Sequence, residues 1–266
     1  MPQRPIGVFD SGIGGLTVVH EIMRQLPNES IVYFGDTARV PYGPKSPDTV
    51  RRYSREIAGF LRDQGVKTIV VACNTATAHA LPVLRAELPM PVIGVVEPGA
   101  RAAVRASGGG HIGVIGTSGT VHSGAYERAI RELDPDARIT VRACPLFVPL
   151  VEEGWIDHPV TRQVAQEYLA PLVAEHVKAL VLGCTHYPLL KSLLCRVLGP
   201  GVTLIDSAAE TAAETGRILR DEKLAAPDDA QPRYRFVASD DPLQFLQLGQ
   251  RFLGNAIEGV ETHTFV

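Results

Sequence analysis

The chain has 266 residues, of which 45% are hydrophobic and 21% charged, values typical of a globular protein whose core needs no disulfide or structural metal. The formal net charge of −3 argues against a nucleic-acid partner, because phosphate neutralisation requires a concentrated excess of Lys and Arg. No apolar stretch approaches the ~20 residues of a membrane span, and the first residues contain no signal-peptide hydrophobic region, so we expect a cytoplasmic protein without a membrane partner.

Apolar runs of strand length alternate with helix-like stretches along the chain. Strands are predicted at residues 6–9, 30–36, 67–73, 91–98, 108–117, 139–144, 178–184 and 202–207. Amphipathic stretches such as 49–65 and 160–176 predict helices between them. Uninterrupted apolar strands that alternate with helices are typical of parallel sheets covered on both faces. The predicted fold class is therefore α/β, and we expect the short tail after residue 208 to pack onto the first half.

The two halves of the chain repeat one pattern. Residues 67–75 read KTIVVACNT and residues 178–186 read KALVLGCTH, so Cys73 and Cys184 align without a gap. IGVFDSGIGG at the first strand similarly resembles IGVIGTSG at the first strand of the second half. A duplicated α/β unit is the simplest account of this order.

The duplication predicts two pseudo-symmetric parallel-sheet domains. We expect a discontinuous first domain at residues 1–97 and 208–266, and a second domain at residues 98–207. In open parallel sheets, ligands bind beyond the carboxyl ends of the strands, where both repeated Cys residues lie. We therefore expect the active site in the cleft between the two domains.

Two thiols at equivalent positions suit one reaction in particular. A thiolate that removes a proton from one face of a chiral carbon, and a thiol that returns a proton to the other face, together invert the configuration. Each Cys stands between a strand and an expected helix start, where backbone N–H groups favour the thiolate. Polar side chains follow each thiol, namely Asn74 and Thr75 in one half and Thr185 and His186 in the other.

Other interpretations of the four Cys residues remain open at this point. A Cys after an apolar strand is commonly a small core residue, and we expect a structural role for Cys144 and Cys195, which lack the repeated context. A redox pair would need the two sulfur atoms within bonding distance. Cys184 and His186 could ligate a metal, but no second ligand pair stands at suitable spacing, so no metal site is predicted.

The repeated motifs resemble those of the cofactor-independent aspartate/glutamate racemase superfamily, in particular the bacterial glutamate racemases. The matching segments are IGVFDSGIGGLTV, YFGDTARVPYG, ACNTATA, PVIGVVEPG, CPLFVPLVEEG, LGCTHYPLL and IDSA, from residue 6 to about residue 210. The resemblance implies interconversion of L- and D-glutamate for peptidoglycan synthesis, with glutamate as the small-molecule partner. A homodimer is compatible with it.

The resemblance also implies roles for individual residues. Cys73 would deprotonate D-glutamate and Cys184 would deprotonate L-glutamate. The family's supporting polar residues near the thiols match Asp10, Glu152 and His186. Its substrate-contacting positions match Asp10, Ser11, Tyr42, Gly43, Asn74, Thr75, Thr185 and His186.

No cofactor is predicted. Pyridoxal phosphate, the usual cofactor for racemising amino acids, needs a Schiff-base Lys, and Lys67 and Lys178 begin their strands at the wrong end for the site. A racemase of aspartate or of another acidic compound is the nearest alternative function. A bilobal small-molecule binding protein, which needs no reactive thiol, is the alternative from a different class.

Overall fold

A computed structural model describes residues 3–253 and 256–265 of the chain. The chain divides into two compact units, the first comprising Met1–Val95 and Ala208–Val266 and the second Val96–Ser207. Each unit contains one parallel sheet with helices packed against it. The α/β fold class predicted from the sequence is confirmed.

Strands and helices are numbered in chain order over the described residues. The strands are β1 Ile6–Asp10, β2 Ile31–Gly35, β3 Thr68–Val71, β4 Val92–Gly94, β5 Ile112–Gly116, β6 Ile139–Ala143, β7 Ala179–Gly183, β8 Thr203–Ile205, β9 Tyr234–Ala238 and β10 Glu261–Thr262. The helices are α1 Leu16–Gln25, α2 Pro47–Asp63, α3 Asn74–Glu87, α4 Val96–Ser107, α5 Ser118–His122, α6 Ala125–Leu133, α7 Phe147–Glu152, α8 Pro159–Ala174, α9 Lys191–Leu198, α10 Ser207–Asp221 and α11 Pro242–Leu253. None of these helices is both long enough and apolar enough to span a bilayer.

The first unit is built on the six-stranded sheet β10-β9-β2-β1-β3-β4, in which every pairing is parallel. The central strand β1 is buried along its whole length, because helices cover the sheet on each face. One face packs on α1, α10 and α11, and the other packs on α2 and α3. The register pairs Asp10 with Gly35, so the polar residues that follow β1, β2 and β3 meet at one edge of this sheet.

The second unit is built on the four-stranded parallel sheet β6-β5-β7-β8. Its strand order is the same as that of β2-β1-β3-β4 in the first unit, with β5 in the place of β1 and β7 in the place of β3. The short strands β4 and β8 each lie beside the strand that precedes a repeated Cys. This correspondence is what a duplicated α/β unit predicts.

Some predicted strands are shorter in the structure, and the one at residues 91–98 runs directly into a helix. The apolar run at residues 91–98 forms a strand only over Val92–Gly94, and α4 begins at Val96. The helix can begin there because Pro98 falls in its first turn, where a missing backbone N–H costs nothing. Val96 and Ala100 then pack into the core of the second unit. Apolar character alone could not distinguish the end of the strand from the buried face of the helix.

Candidate active site

Cys73 lies between β3 and α3, at the N-terminus of a 14-residue helix. Its side chain is 5% exposed, and Sγ accepts a hydrogen bond from the backbone N–H of Ala76 at 3.4 Å. Sγ also lies 3.6 Å from the hydroxyl oxygen of Ser11, to which the thiol can donate. The backbone N–H groups and the dipole of a helix N-terminus stabilise an anion, so this position favours the thiolate of Cys73.

The end of β1 and the loop that follows it bring Asp10 and Ser11 to the same sheet edge. Asp10 is fully buried, and its Oδ2 accepts a hydrogen bond from the N–H of Gly12 at 3.0 Å. The Tyr33 hydroxyl donates to the carbonyl oxygen of Gly12 at 2.8 Å, which holds the loop from the side of β2. Burial, together with the nearby charges of Asp10 and Cys73, raises the pKa of Tyr33 well above its ordinary value, so its hydroxyl remains a donor.

Close packing at the start of α1 requires glycine. A Cβ on Gly15 would lie 2.5 Å from the Cβ of Asp10 and 2.8 Å from the Tyr33 hydroxyl. Real Cβ contacts are essentially never that short, so any larger residue would displace the carboxylate of Asp10. The glycine-rich sequence after Asp10 therefore leaves room for the Asp10 side chain, in addition to allowing the turn.

The hydroxyl of Tyr42 is bonded to the carboxylate of Asp36, a residue that the sequence did not single out. Asp36 is fully buried, and both of its carboxylate oxygens accept from Arg39 Nε, Oδ2 at 2.8 Å and Oδ1 at 3.0 Å. Oδ1 also accepts from the Ser239 hydroxyl at 2.9 Å. Burial and the negative charge of Asp36 raise the pKa of Tyr42, which keeps the phenol protonated. Asp36 directly follows β2, and Asp10 is the last residue of the neighbouring strand β1. An acidic residue at the end of each apolar run was the signal in the sequence that could have found Asp36.

The remaining predicted residues of the first unit are buried near these groups. Asn74 and Thr75 form the first turn of α3, directly after Cys73, and are 3% and 2% exposed. Gly43 is buried in the loop that follows Tyr42. The structure thus places Asp10, Ser11, Tyr42, Gly43, Cys73, Asn74 and Thr75 after neighbouring strands of one sheet.

Cys184 follows β7 and has different polar neighbours from Cys73. Its Sγ lies 3.9 Å from Nδ1 of His186, and Nε2 of His186 lies 3.2 Å from Oε1 of Glu152 on α7. His186 is 2% exposed, whereas the Glu152 side chain is 36% exposed. Thiol, imidazole and carboxylate therefore form a chain, in which the carboxylate holds the imidazole beside the sulfur.

The backbone after Cys184 differs from the predicted helix start. A single 3₁₀ turn, Tyr187–Leu190, follows the thiol, and α9 begins only at Lys191. Pro188 lies in that turn, and Tyr187 is fully buried with its hydroxyl bonded to the carbonyl oxygen of Cys144 at 2.8 Å. The favourable field of a long helix N-terminus is thus present at Cys73, whereas His186 occupies the corresponding place beside Cys184.

Hydroxyl groups at the end of β5 lie next to the Cys184 strand. Gly116 of β5 pairs with Gly183 of β7, so Thr117 and Thr185 follow adjacent strands. Thr117 caps α5 by accepting a hydrogen bond from the N–H of Thr120 at 3.2 Å. Thr185 is 7% exposed. The second unit therefore repeats the arrangement of the first, with polar groups on two adjoining loops at the carboxyl edge of a sheet.

Cys144 and Cys195 differ sharply in their surroundings. Cys144 is fully buried, and desolvation raises its pKa to about 12. Cys195 is exposed on α9. The structural role predicted for Cys144 agrees with its burial in the core of the second unit, whereas Cys195 contributes no side chain to that core.

Alkylation of the native protein at pH 8 is expected to modify Cys195 and to leave Cys144 intact. With a pKa of about 12, only about one Cys144 thiol in ten thousand is ionised at pH 8, and the thiolate is the reactive form. Peptide mass mapping after a timed reaction with iodoacetamide measures this difference. The same reaction in denaturant is the control, and similar native rates at the two residues would contradict the expectation.

Lys67 has a structural role at the opposite sheet edge. Its Nζ is 2.5 Å from Oε2 of Glu29 and donates to the carbonyl oxygen of Leu224 at 2.7 Å, with the side chain fully buried. This amine is therefore part of a buried ion pair at the amino end of β3. Within residues 3–253 and 256–265, no three His, Cys, Asp or Glu residues are grouped as metal ligands would be.

The chain matches the model of one protein family and resembles named relatives over nearly its whole length. The family model is that of the Asp/Glu/Hydantoin racemases, and it matches residues 6–215. A glutamate racemase from Syntrophus aciditrophicus is 55% identical over 257 residues, which are 97% of this chain and 95% of the relative.

Solved structures with the same fold carry the same description. The structure of the glutamate racemase isoform RacE1 from Bacillus anthracis has a TM-score of 0.94 and 44% identity, covering 100% of this chain and 98% of that one. A glutamate racemase from Francisella tularensis, solved in complex with D-glutamate, has a TM-score of 0.92 and 39% identity, covering 99% and 98%. The chain therefore belongs to the Asp/Glu/Hydantoin racemase family and is an isomerase, an amino-acid racemase.

Proposed function

We propose that this protein is a glutamate racemase that interconverts L- and D-glutamate through a pair of thiols, Cys73 and Cys184, and that it supplies D-glutamate for peptidoglycan. The observation that carries the proposal is the equivalence of the two thiols. Each follows the third strand of its unit, within the matching sheet orders β2-β1-β3-β4 and β6-β5-β7-β8. Neither a binding protein nor an enzyme with a single nucleophile requires two matched thiols.

The reaction needs one base and one acid on opposite faces of the α-carbon. With D-glutamate, the Cys73 thiolate removes the α-proton and the Cys184 thiol gives its proton to the opposite face. The product is L-glutamate, and the enzyme is left with a Cys73 thiol and a Cys184 thiolate. The reverse reaction restores the first state, so no proton is gained or lost over one cycle in each direction.

The surroundings of each thiol support its role as a base. At Cys73, the helix N-terminus and the Ala76 N–H stabilise negative charge on sulfur. At Cys184, Nδ1 of His186 lies 3.9 Å from the sulfur, within reach for proton exchange, and Glu152 holds the imidazole in place from its other nitrogen. Asp10 is buried at the end of β1, the strand beside β3, and its bond to the Gly12 N–H restricts the loop that carries Ser11.

Substrate recognition is assigned to the polar loops around the thiols. Carbanion formation at an α-carbon without a cofactor requires preorganised hydrogen-bond donors for the substrate carboxylates and exclusion of water. Ser11, Asn74, Thr75 and Thr185 supply hydroxyl and amide groups, and Gly43 supplies backbone groups. The choice of glutamate rests on the named relatives, one of which was solved with D-glutamate bound.

We expect the purified protein to convert D-glutamate into L-glutamate with no added cofactor. Circular dichroism follows the loss of optical activity until the two enantiomers are equal. D-aspartate, tested in the same assay, is expected to react at least about 100-fold more slowly, since losing a methylene misplaces the second carboxylate. Preference for aspartate would replace the proposed substrate, and turnover of neither compound would contradict the proposed function.

A further inference from the structure

The loop that carries Tyr42 and Gly43 is held by one arginine. Arg39 Nε bonds to both carboxylate oxygens of Asp36, and Arg39 Nη1 bonds to Glu56 on α2. Asp36 in turn accepts from the Tyr42 hydroxyl, so the guanidinium and the phenol share one buried carboxylate. Residues 36–43, here called the Tyr42 loop, are thus closed by contacts between their own ends.

Two aromatic rings enclose the guanidinium of Arg39. Its Cζ lies 4.0 Å from the ring centroid of Tyr53 and 4.7 Å from that of Phe265. These distances are within the range of cation–π contacts, and the side chain is only 18% exposed. Nη2 is buried without a hydrogen-bond partner among the described residues, so the aromatic rings supply much of the environment of this charge.

Phe265 comes from the last described residues of the chain, 261–265, here called the C-terminal segment. Glu261 is paired with Arg235 of β9 at 2.6 Å, and His263 N–H donates to the carbonyl oxygen of Ala238 at 3.0 Å. The imidazole ring of His263 also packs against Phe60 in a tilted arrangement, with ring centroids 4.4 Å apart. These contacts fix the C-terminal segment beside β9 and place Phe265 over Arg39.

The Tyr42 loop also contacts the loop of Asp10 and Ser11. The backbone N–H of Asp36 donates to the carbonyl oxygen of Asp10 at 3.1 Å. A Cβ added to Gly12 would lie 3.4 Å from Cγ2 of Val40, so the space between the two loops has no room for more than one methyl group. Movement of the Tyr42 loop would therefore disturb the loop that carries Asp10 and the hydroxyl beside Cys73.

We propose that Arg39, enclosed by Tyr53 and Phe265, is a positioning residue for the proposed racemisation, and that the C-terminal segment thereby helps to form the substrate site. The inference rests on the proposed function, in which the Tyr42 loop contacts glutamate. Arg39 itself touches no reacting atom in this account. It acts by holding the loop in the conformation that binds substrate, so its loss should weaken binding more than it slows proton transfer.

Phe265→Ala and Arg39→Lys test this role. Lysine keeps the positive charge but lacks the planar fork and the flat face that stacks between rings. We expect each variant to raise KM for D-glutamate about five- to tenfold, a change that corresponds to the free energy of about one lost cation–π contact. We expect kcat to change by less than about threefold. Hydrogen exchange in peptides covering residues 36–43 should become about tenfold faster without any ligand, while exchange in β1 should not change.

Matched variants separate the aromatic contact from general packing. Phe265→Tyr keeps a ring face and should preserve both KM and exchange, whereas Phe265→Leu keeps apolar bulk and should behave like Phe265→Ala. Arg217→Lys is the control substitution, because Arg217 also forms two ion pairs but lies on α10. Its KM and its hydrogen exchange at residues 36–43 should match those of the wild type.

Unchanged exchange at residues 36–43 in Phe265→Ala and Arg39→Lys would overturn the inference, as would an unchanged KM despite faster exchange. A wild-type protein without racemase activity would contradict the proposed function alone. In that case the ligand-free exchange measurement would still decide whether Arg39 and Phe265 hold the loop.

Discussion

Replacing Cys73 or Cys184 with alanine is expected to abolish racemisation in both directions, lowering kcat by at least about 10³-fold. Removing one acid–base group costs about 10²–10⁴-fold, and alanine offers no proton that could substitute for the lost thiol. Conversion of each enantiomer, followed by circular dichroism, measures the effect. Cys144→Ala and Cys195→Ala are the matched controls, and we expect Cys195→Ala to retain wild-type turnover because Cys195 is exposed on α9.

Isotope exchange distinguishes the two thiols from each other. Each single alanine variant keeps one thiol. In D₂O the Cys73 thiol of the Cys184→Ala protein should therefore still exchange the α-proton of D-glutamate for deuterium, without forming L-glutamate. The Cys73→Ala protein should do the same only with L-glutamate. Exchange of the same enantiomer in both variants, or full turnover in either, would contradict the two-base assignment.

The sequence predicted the strands and the thiols because these depend on local patterns. Apolar runs of four or five residues ended by Cys73 and Cys184 mark buried parallel strands, and the repeated spacing relates the two halves. The same patterns predicted that Asp10 would lie at the carboxyl end of the first strand, and it is the last residue of β1. Roles of these residues in catalysis remain predictions.

Contacts between distant segments could not be predicted in this way. Asp36 is bonded to Ser239, and Arg39 is covered by Phe265, more than 200 residues away in the chain. Periodicity reports only which face of an element is buried, and it does not identify the partner that covers it. The helix start predicted after Cys184 failed for a related reason, since the buried Tyr187 and its bond to Cys144 accompany a 3₁₀ turn there.

Gly35→Ala is expected to destabilise the protein by about 3 kcal/mol, at the upper end of the cost of overpacking a core. A Cβ at this position would lie 2.6 Å from the carbonyl oxygen of Gly12 and 2.6 Å from Cε2 of Phe245. The first contact is backbone, which cannot rotate away, so the Asp10 loop must shift. Thermal unfolding should show a midpoint about 5–10 °C lower than that of the wild type.

Gly59→Ala is the matched control, because it adds the same methyl group where there is room for it. Gly59 lies within α2, and a Cβ there would have no neighbour within 4 Å. Alanine in a helix interior is favoured over glycine by about 0.5–1 kcal/mol, so this variant should unfold at a slightly higher temperature. If the two variants unfolded at the same temperature, the space between β2 and the carbonyl oxygen of Gly12 would accommodate a Cβ. Gly35 would then have no packing role at the candidate site.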